Sequence, residues 1–129
     1  LRPLGHPSLF AFVSRLRVWR DATIMGMQVF VLKSVFDFIE SLEEEPRADM
    51  YRLIKLLEKY GHTVGMPHAK PIGQGLHELR RTGRPQYRML YGFCRGQAMI
   101  VYALKKQQQA LLNRDIRRAQ YLLRLYCAS

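Results

Sequence analysis

Three short runs of residues, each bounded by turn-forming segments, constrain the fold of this chain more than any other feature. The runs are Leu76–Arg81, Tyr87–Phe93 and Ala98–Leu104, and their lengths and apolar content suit β-strands. The intervening segments, 82–86 and 94–97, contain glycine or proline and are short enough to be hairpin loops. We therefore expect an antiparallel meander in the C-terminal half of the chain.

Two amphipathic helices are predicted before this meander. The first runs from Ser34, which we expect to be its N-cap, to Leu42, and its apolar residues recur on one face. Pro46 opens the second helix, which continues to about Tyr60 and is stopped by Gly61. The pair predicts a helical hairpin with one apolar side.

The remaining segments complete an α+β prediction. Met27–Leu32 suits a first strand, residues 61–75 suggest a long loop with at most a short strand or turn, and Asn113–Tyr126 suits a C-terminal helix. We expect residues 1–24 to be a poorly ordered N-terminal extension and residues 25–129 to be the folded domain.

Length and hydropathy limit the chain to one domain and argue against a membrane-spanning or secreted protein. The chain has 129 residues, enough for one domain with a single core. It contains no apolar run of the roughly 20 residues that a membrane span requires, so we expect no membrane association. Its first apolar run precedes the arginines Arg15, Arg17 and Arg20, the reverse of the order in a signal peptide, which argues against secretion.

The cysteines and histidines predict neither a disulfide framework nor a metal site. Cys94 and Cys127 lack metal-ligand spacing, and the four histidines are scattered along the chain. We expect both cysteines to be reduced, a cytoplasmic location, and no metal or other cofactor.

The net charge of +11 is concentrated in two parts of the chain. Residues 70–99 and 100–129 each contain six basic side chains and one acidic side chain, whereas residues 25–69 contain five basic and seven acidic ones. This distribution predicts a polyanion-binding surface in the C-terminal half. The alternative is that the basic residues only keep a small domain soluble.

Strand alternation brings two arginines together. If Leu79 and the bulky residues of the 87–93 run face the helices, Arg80 and Arg88 lie on the opposite, open face of neighbouring strands. Two guanidinium groups on one surface suit a phosphodiester, and Lys105-Lys106 would add two cations at the same edge. The alternative, which the sequence leaves open, is that these arginines only face solvent or that Arg80 pairs structurally with Glu78 or with a helix carboxylate.

The residues that could transfer protons are less clearly marked. A histidine titrates near neutral pH, and His68 lies in the loop that enters the sheet, from which it could reach the groove. His77 shares its strand face with Leu79, and Tyr91 suits the core with its hydroxyl at the sheet margin. Cys94 has no evident activating base.

The order and spacing of several short motifs resemble the phage-related HigB/RelE-type toxins of bacterial toxin–antitoxin pairs. The matching segments lie between Val35 and Ala119 and are Val35–Leu42, Leu56–Gly61, Gly65–His68, Lys70–Ile72, Gly75–Arg80, Tyr87–Tyr91 and Lys105-Lys106. The resemblance implies a RelE/ParE-like fold, in which a helical hairpin packs on a twisted antiparallel sheet with a further C-terminal helix.

The same resemblance implies a function. Many members of this family are metal-independent mRNA endonucleases that act on the ribosome, which implies the ribosome and mRNA as partners. The family also implies a cognate antitoxin of the helix-turn-helix type, which masks the basic groove and binds operator DNA. It implies that Arg80, Arg88, Lys105 and Lys106 are catalytic, with His68 and Tyr91 as further candidates. We expect the RNA to contact other basic residues, namely Lys70, Arg81, Arg84, Arg95, Arg114 and Arg117.

Two other functions stay open. Related toxins of the ParE type inhibit DNA gyrase, and fold alone does not separate the two activities. Residues 107–112 differ from the Thr-Gln-Lys-Thr-Pro sequence that is usual in the family after the double lysine, which would also fit a degenerate, non-toxic binder of RNA or antitoxin.

Overall fold

The computed structural model describes residues 27–128, which form a five-stranded sheet with three helices. The expectation for residues 1–24 therefore lies outside the described residues. In chain order the elements are β1 (Val29–Val31), α1 (Lys33–Glu40), α2 (Glu44–Tyr60), a short 3-10 turn (Gly61–Thr63), β2 (Ala69–Gly73), β3 (Leu76–Arg81), β4 (Gln86–Cys94), β5 (Gln97–Lys106) and α3 (Asn113–Ala128).

The sheet has the strand order β1-β5-β4-β3-β2. The strands β2 to β5 form consecutive antiparallel pairs, which confirms the predicted meander. The expectation of a wholly antiparallel sheet is wrong, because β1 pairs in parallel with β5. The short strand that the prediction allows within residues 61–75 is present as the edge strand β2. The coarse α+β prediction is confirmed.

The helical hairpin begins differently from the prediction. Ser34 is not the N-cap of α1, because the chain passes directly from β1 into the helix at Lys33 and Leu32 takes the capping position with extended backbone. The backbone N–H of Leu32 donates to Ile100 O at 3.1 Å, so the residue still belongs to the sheet edge. Pro46 lies in the first turn of α2, where its missing N–H costs no hydrogen bond.

The two faces of the sheet are covered by different helices. Tyr87 lies on the face of α1 and α2, since its ring meets Phe38 edge-on with centroids 5.8 Å apart. By alternation Arg88, Leu90 and Gly92 lie on the opposite face, part of which α3 covers. A Cβ at Gly92 would lie 2.3 Å from Leu123 Cδ2, so the absence of a side chain there permits the close approach of α3.

Two contacts at opposite ends of α3 hold it on the sheet. Near its start, the Tyr102 hydroxyl donates to Asp115 Oδ1 at 2.8 Å. Near its end, Cys127 forms a disulfide bond with Cys94 of β4. The expectation of two reduced cysteines is therefore wrong: spacing in the sequence does not reveal that the end of β4 and the last turn of α3 meet. No helix within residues 27–128 is long and apolar enough to cross a membrane.

Candidate nucleic-acid interface

The part of the second sheet face that α3 leaves uncovered is a groove of about 780 Å³, which we call the cationic groove. Its walls are the ends of β3, β4 and β5 and the segment after β5. The lining residues are Arg80, Thr82, Arg84, Pro85, Gln86, Arg88, Lys105, Lys106 and Gln107–Gln109.

Strand register brings the basic residues of this groove together. Arg80 of β3 lies directly opposite Arg88 of β4, and Gln86, two residues before Arg88, lies opposite Lys106 of β5. Directly opposed residues share a face, so the three cations point to the same side of the sheet. The convergence that alternation predicts for Arg80 and Arg88 is thus present, and the catalytic roles stay a prediction.

Arg88 forms the floor of the groove. Its Nη1 donates to the backbone oxygens of Arg81 and Tyr87 at 3.0 and 3.1 Å, and its Nη2 donates to Gln86 Oε1 at 3.1 Å. The side chain is only 1% exposed, so the expectation that it lies on an open surface is wrong. Burial lowers the pKa of Arg88, and the nearby charge of Glu78 opposes that shift.

Glu78 is the acidic centre of the cluster, and the pairing with Arg80 that the sequence leaves open as an alternative is present. Its carboxylate oxygens lie 3.5 Å from the Nε atoms of Arg80 and Arg88. Within the described residues neither Nε has a hydrogen-bond partner, so the buried carboxylate serves mainly as the shared counter-ion of the two arginines. Alternation places Glu78 on the face of Arg80, whereas its second contact, with Arg88 of the neighbouring strand, depends on the strand register.

Two lysines complete the cluster. Lys70 of β2 lies opposite Glu78 on the same face. Burial lowers the pKa of Lys106, the positive charges of Arg88, Arg80 and Lys70 lower it further, and Glu78 raises it. Four cations therefore surround one carboxylate, and the resulting excess of positive charge favours an anionic ligand.

Of the two arginines that contact Glu78, Arg80 is the one that a ligand can reach. Its side chain is 18% exposed, and its Nη1 lies 3.1 Å from Met66 Sδ, which is a weak acceptor. Its backbone N–H donates to His68 O at 2.8 Å, which fixes the start of β2 beside it. The imidazole of His68 is exposed and lies at a second groove that also contacts Arg80.

Tyr91 lies on the other side of the sheet. By alternation it shares the face of Tyr87, and it is only 1% exposed. Its ring stacks on His77 with centroids 5.2 Å apart, and burial raises the pKa of Tyr91 to about 12. The core position that the sequence favours for Tyr91 is thus confirmed, and it lies on the opposite side of the sheet from Arg80 and Arg88.

Three of the other predicted basic residues lie at or beside the groove. Arg84 is exposed on its wall. Lys105 lies directly opposite Tyr87, so its side chain points to the other face of the sheet from Lys106. It still lines the edge of the cationic groove. Arg114 lines an adjoining pocket of about 280 Å³ together with Lys105, Lys106 and residues of the 107–112 segment.

The remaining three are placed differently. Arg81 is buried, its Nε donating to Asp49 Oδ2 at 3.0 Å and its Nη1 to Pro85 O at 2.8 Å, so it joins α2 to the sheet. Arg117 is exposed on α3. Arg95 is exposed at the β4–β5 turn, seven residues along the chain from Arg88, or about 23 Å in an extended strand. Arg81 and Arg95 therefore do not join the cluster.

The described residues contain no group of three or more histidine, cysteine, aspartate or glutamate side chains that could hold a metal ion. Independently of that finding, the guanidinium and ammonium groups of the cationic groove favour an anionic ligand.

Comparison with known proteins places this groove within one family. No curated protein sequence is significantly similar to the chain. Residues 37–124 match the family described as phage-derived protein Gp49-like (DUF891). The match extends from α1 into α3, covers more than half of the chain and includes every lining residue of the cationic groove. The chain therefore belongs to the Gp49-like family of phage-derived proteins.

Proposed function

We propose that this protein is the toxin of a toxin–antitoxin pair and cleaves mRNA on the ribosome, with the scissile phosphodiester bound in the cationic groove. The observation that carries the proposal is the cluster of Lys70, Arg80, Arg88 and Lys106 around Glu78. Membership of a phage-derived family and the motif resemblance to HigB/RelE-type toxins support the same function.

The cluster suits the charge that develops during phosphodiester cleavage. A planar guanidinium donates two parallel hydrogen bonds to phosphate oxygens, and its positive charge persists across physiological pH. Arg80 is the partly exposed group that contacts the phosphate, and Lys106 is the second cation. Arg88 is held by three hydrogen bonds, so its charge is fixed in place before the substrate binds.

The reaction needs no group beyond the RNA and two proton transfers. The ribose 2′-hydroxyl loses its proton and attacks the adjacent phosphorus, the bond to the 5′ oxygen breaks, and that oxygen accepts a proton. The products are a 2′,3′-cyclic phosphate and a 5′-hydroxyl end. His68 is the candidate for one of the transfers, because its imidazole is exposed beside Arg80.

The proposal includes the partners. The motif resemblance implies an antitoxin of the helix-turn-helix type. We propose that it inhibits the toxin by covering the positively charged groove and that operator DNA is contacted through it. The remaining partners are the ribosome and its mRNA in the cytoplasm.

Induced expression in bacteria, followed by primer-extension mapping of cellular transcripts, tests the proposal. Wild-type protein should arrest growth and cut transcripts only where they are translated. Arg80→Ala should lose both effects, whereas the control Arg124→Ala removes the same charge from the exposed side of α3, outside the groove, and should keep them. Arg88→Ala is less informative, because it also removes three hydrogen bonds from the fold.

Intact transcripts accompanied by double-strand DNA breaks would replace this proposal with gyrase inhibition. Harmless accumulation of folded wild-type protein would indicate a non-toxic binder. Full toxicity of Arg80→Ala would show that the cationic groove is not the active site.

A further inference from the structure

A second groove, of about 570 Å³, adjoins the cationic groove and runs along α2. Arg80 and Thr82 line both grooves, so the two surfaces meet at the reachable arginine. On the other side its wall is the solvent-facing stripe of α2 that includes Arg52, Lys59 and Tyr60. We call this second surface the flanking groove.

The flanking groove is also positively charged. Arg52, Lys55 and Lys59 follow one another at intervals of three and four residues, which places them along one side of the helix. Within the described residues Asp49 is the one acidic side chain of the lining, and it pairs with both Arg52 and Arg81. The surface beyond Asp49 therefore attracts an anion that continues from the cationic groove.

An aromatic side chain lies at the end of this stripe. Tyr60 is the last residue of α2 and is 50% exposed. Lys59 Nζ lies 5.4 Å from the centroid of its ring. An exposed ring beside cations on a groove is the arrangement on which single-stranded nucleic acids stack their bases.

We infer that the flanking groove binds the single-stranded RNA next to the cleaved bond, with phosphates on Arg52 and Lys59 and one base on Tyr60. This inference rests on the proposed function and adds a substrate subsite to it. Continuity with the cationic groove through Arg80, together with the ring, favours RNA over an acidic protein segment, which would use the charges but would not require stacking.

Binding of 2′-O-methyl RNA, which lacks the attacking hydroxyl and stays intact, tests the inference. Two fluorescein-labelled oligonucleotides are compared. One of about four nucleotides is long enough for the cationic groove alone, and one of about twelve nucleotides also reaches the flanking groove. Wild-type protein should bind the longer one more tightly. The double variant Arg52→Ala/Lys59→Ala should lose the extra affinity for the longer oligonucleotide, and its affinity for the shorter one should equal that of the wild type. Tyr60→Ala should weaken the longer one roughly tenfold, and Tyr60→Phe should not.

Salt dependence gives an independent measure. Each lost phosphate contact should reduce the slope of log K against log salt by about 0.7, so the double variant should lose about 1.4. The matched control Arg118→Ala/Arg124→Ala removes two charges from α3, outside both grooves, and should keep the wild-type slope for this oligonucleotide.

The outcomes separate the subsite from the function. In one outcome, binding of both oligonucleotides requires Arg80, but the double variant and Tyr60→Ala still bind the longer oligonucleotide more tightly than the shorter one. The flanking groove is then not an RNA subsite, and the proposed function stands. A wild-type protein that binds neither oligonucleotide overturns the subsite, and transcript mapping then decides the function separately. Loss of affinity for a polyglutamate peptide, with RNA binding unchanged, would assign the groove to an acidic protein instead.

Discussion

Glu78 illustrates how a single buried charge organises the candidate site. A carboxylate in the protein interior needs partners, and this one has the Nε atoms of two arginines at 3.5 Å. In turn it allows Arg80 and Arg88 to lie directly opposite each other across β3 and β4, a pairing of like charges that is otherwise unfavourable.

Glu78→Gln should therefore destabilise the fold. The amide keeps the shape but removes the charge, which leaves two guanidinium groups without their shared counter-ion, and we expect a loss of about 3 kcal/mol in the free energy of unfolding. Urea denaturation measures it. The control Asp37→Asn breaks an exposed pair with Lys33 and should cost about 0.5 kcal/mol or less. Equal effects of the two substitutions would contradict this role of Glu78.

His77 should make stability depend on pH. Burial, and to a lesser extent the charge of His62, lowers the pKa of His77 below its usual 6.5. As the pH falls below 6.5, the unfolded chain binds a proton that the folded side chain resists, so stability present above 6.5 is lost on acidification. The urea midpoint of the wild type should fall more between pH 8 and pH 5.5 than that of His77→Phe, which keeps a ring beside Tyr91. Parallel decreases would assign the effect to other groups.

The sequence predicts the direction of these side chains but not their exposure. Alternation is a property of each strand, so it correctly assigns Arg80 and Arg88 to one face. Whether that face is open depends on what covers it, and the hydrogen bonds that bury Arg88 involve backbone oxygens whose positions the pattern does not reveal. Alternation does assign Tyr91 to the core side, and its burial agrees with that assignment.

At the scale of elements, the contact of α3 with β4 depends on one glycine. A Cβ at Gly92 would approach Leu123 Cδ2 to 2.3 Å and the backbone oxygen of Gly75 to 3.0 Å. Gly92→Ala should therefore push α3 outward and lower the unfolding free energy by about 1 to 3 kcal/mol, measured by thermal or urea denaturation. Gly65→Ala is the control, because nothing lies within 4 Å of the added Cβ.

Leu123→Ala added to Gly92→Ala should restore part of the loss, since it removes the side chain that clashes. A Gly92→Ala protein as stable as the control would contradict this account of how α3 packs.

The disulfide bond should stabilise the same contact. Cys94 and Cys127 are 33 residues apart, and closing a loop of that length in the unfolded chain corresponds to about 3.7 kcal/mol. We expect dithiothreitol to lower the unfolding midpoint of the wild type and to leave that of Cys94→Ser/Cys127→Ser unchanged. An unfolding midpoint of the wild type that is the same with and without dithiothreitol would contradict the presence of a stabilising disulfide bond.

Local pattern predicts most of the elements, and β3 agrees with its prediction to the residue. The sequence of β2 does not read as a strand because it contains Pro71 and ends at Gly73. Proline is tolerated at the edge of a sheet, and β2 is an edge strand, so only the tertiary arrangement makes the strand possible. Likewise, the pattern identifies β1 but not its parallel pairing with β5.

At the scale of the whole molecule, the net charge of +11 has a structural counterpart. One sheet face divides into a part covered by α3 and a part where Lys70, Arg80, Arg88 and Lys106 surround Glu78. Association with a polyanion should therefore weaken steeply as salt increases. The uneven charge along the sequence predicts this surface in outline, whereas its depth and its continuation along α2 follow only from the packing of the elements.

The most direct test of the central claim is cleavage of one mRNA in a translation reaction reconstituted from purified components. The wild type should produce discrete cuts that require translation, and Arg80→Ala should cut at least about 100-fold more slowly, the effect of removing a group that stabilises transition-state charge. The control Arg124→Ala should cut as the wild type does. Absence of wild-type cleavage, or equal rates for wild type and Arg80→Ala, would contradict the claim that the cationic groove is the site of mRNA cleavage.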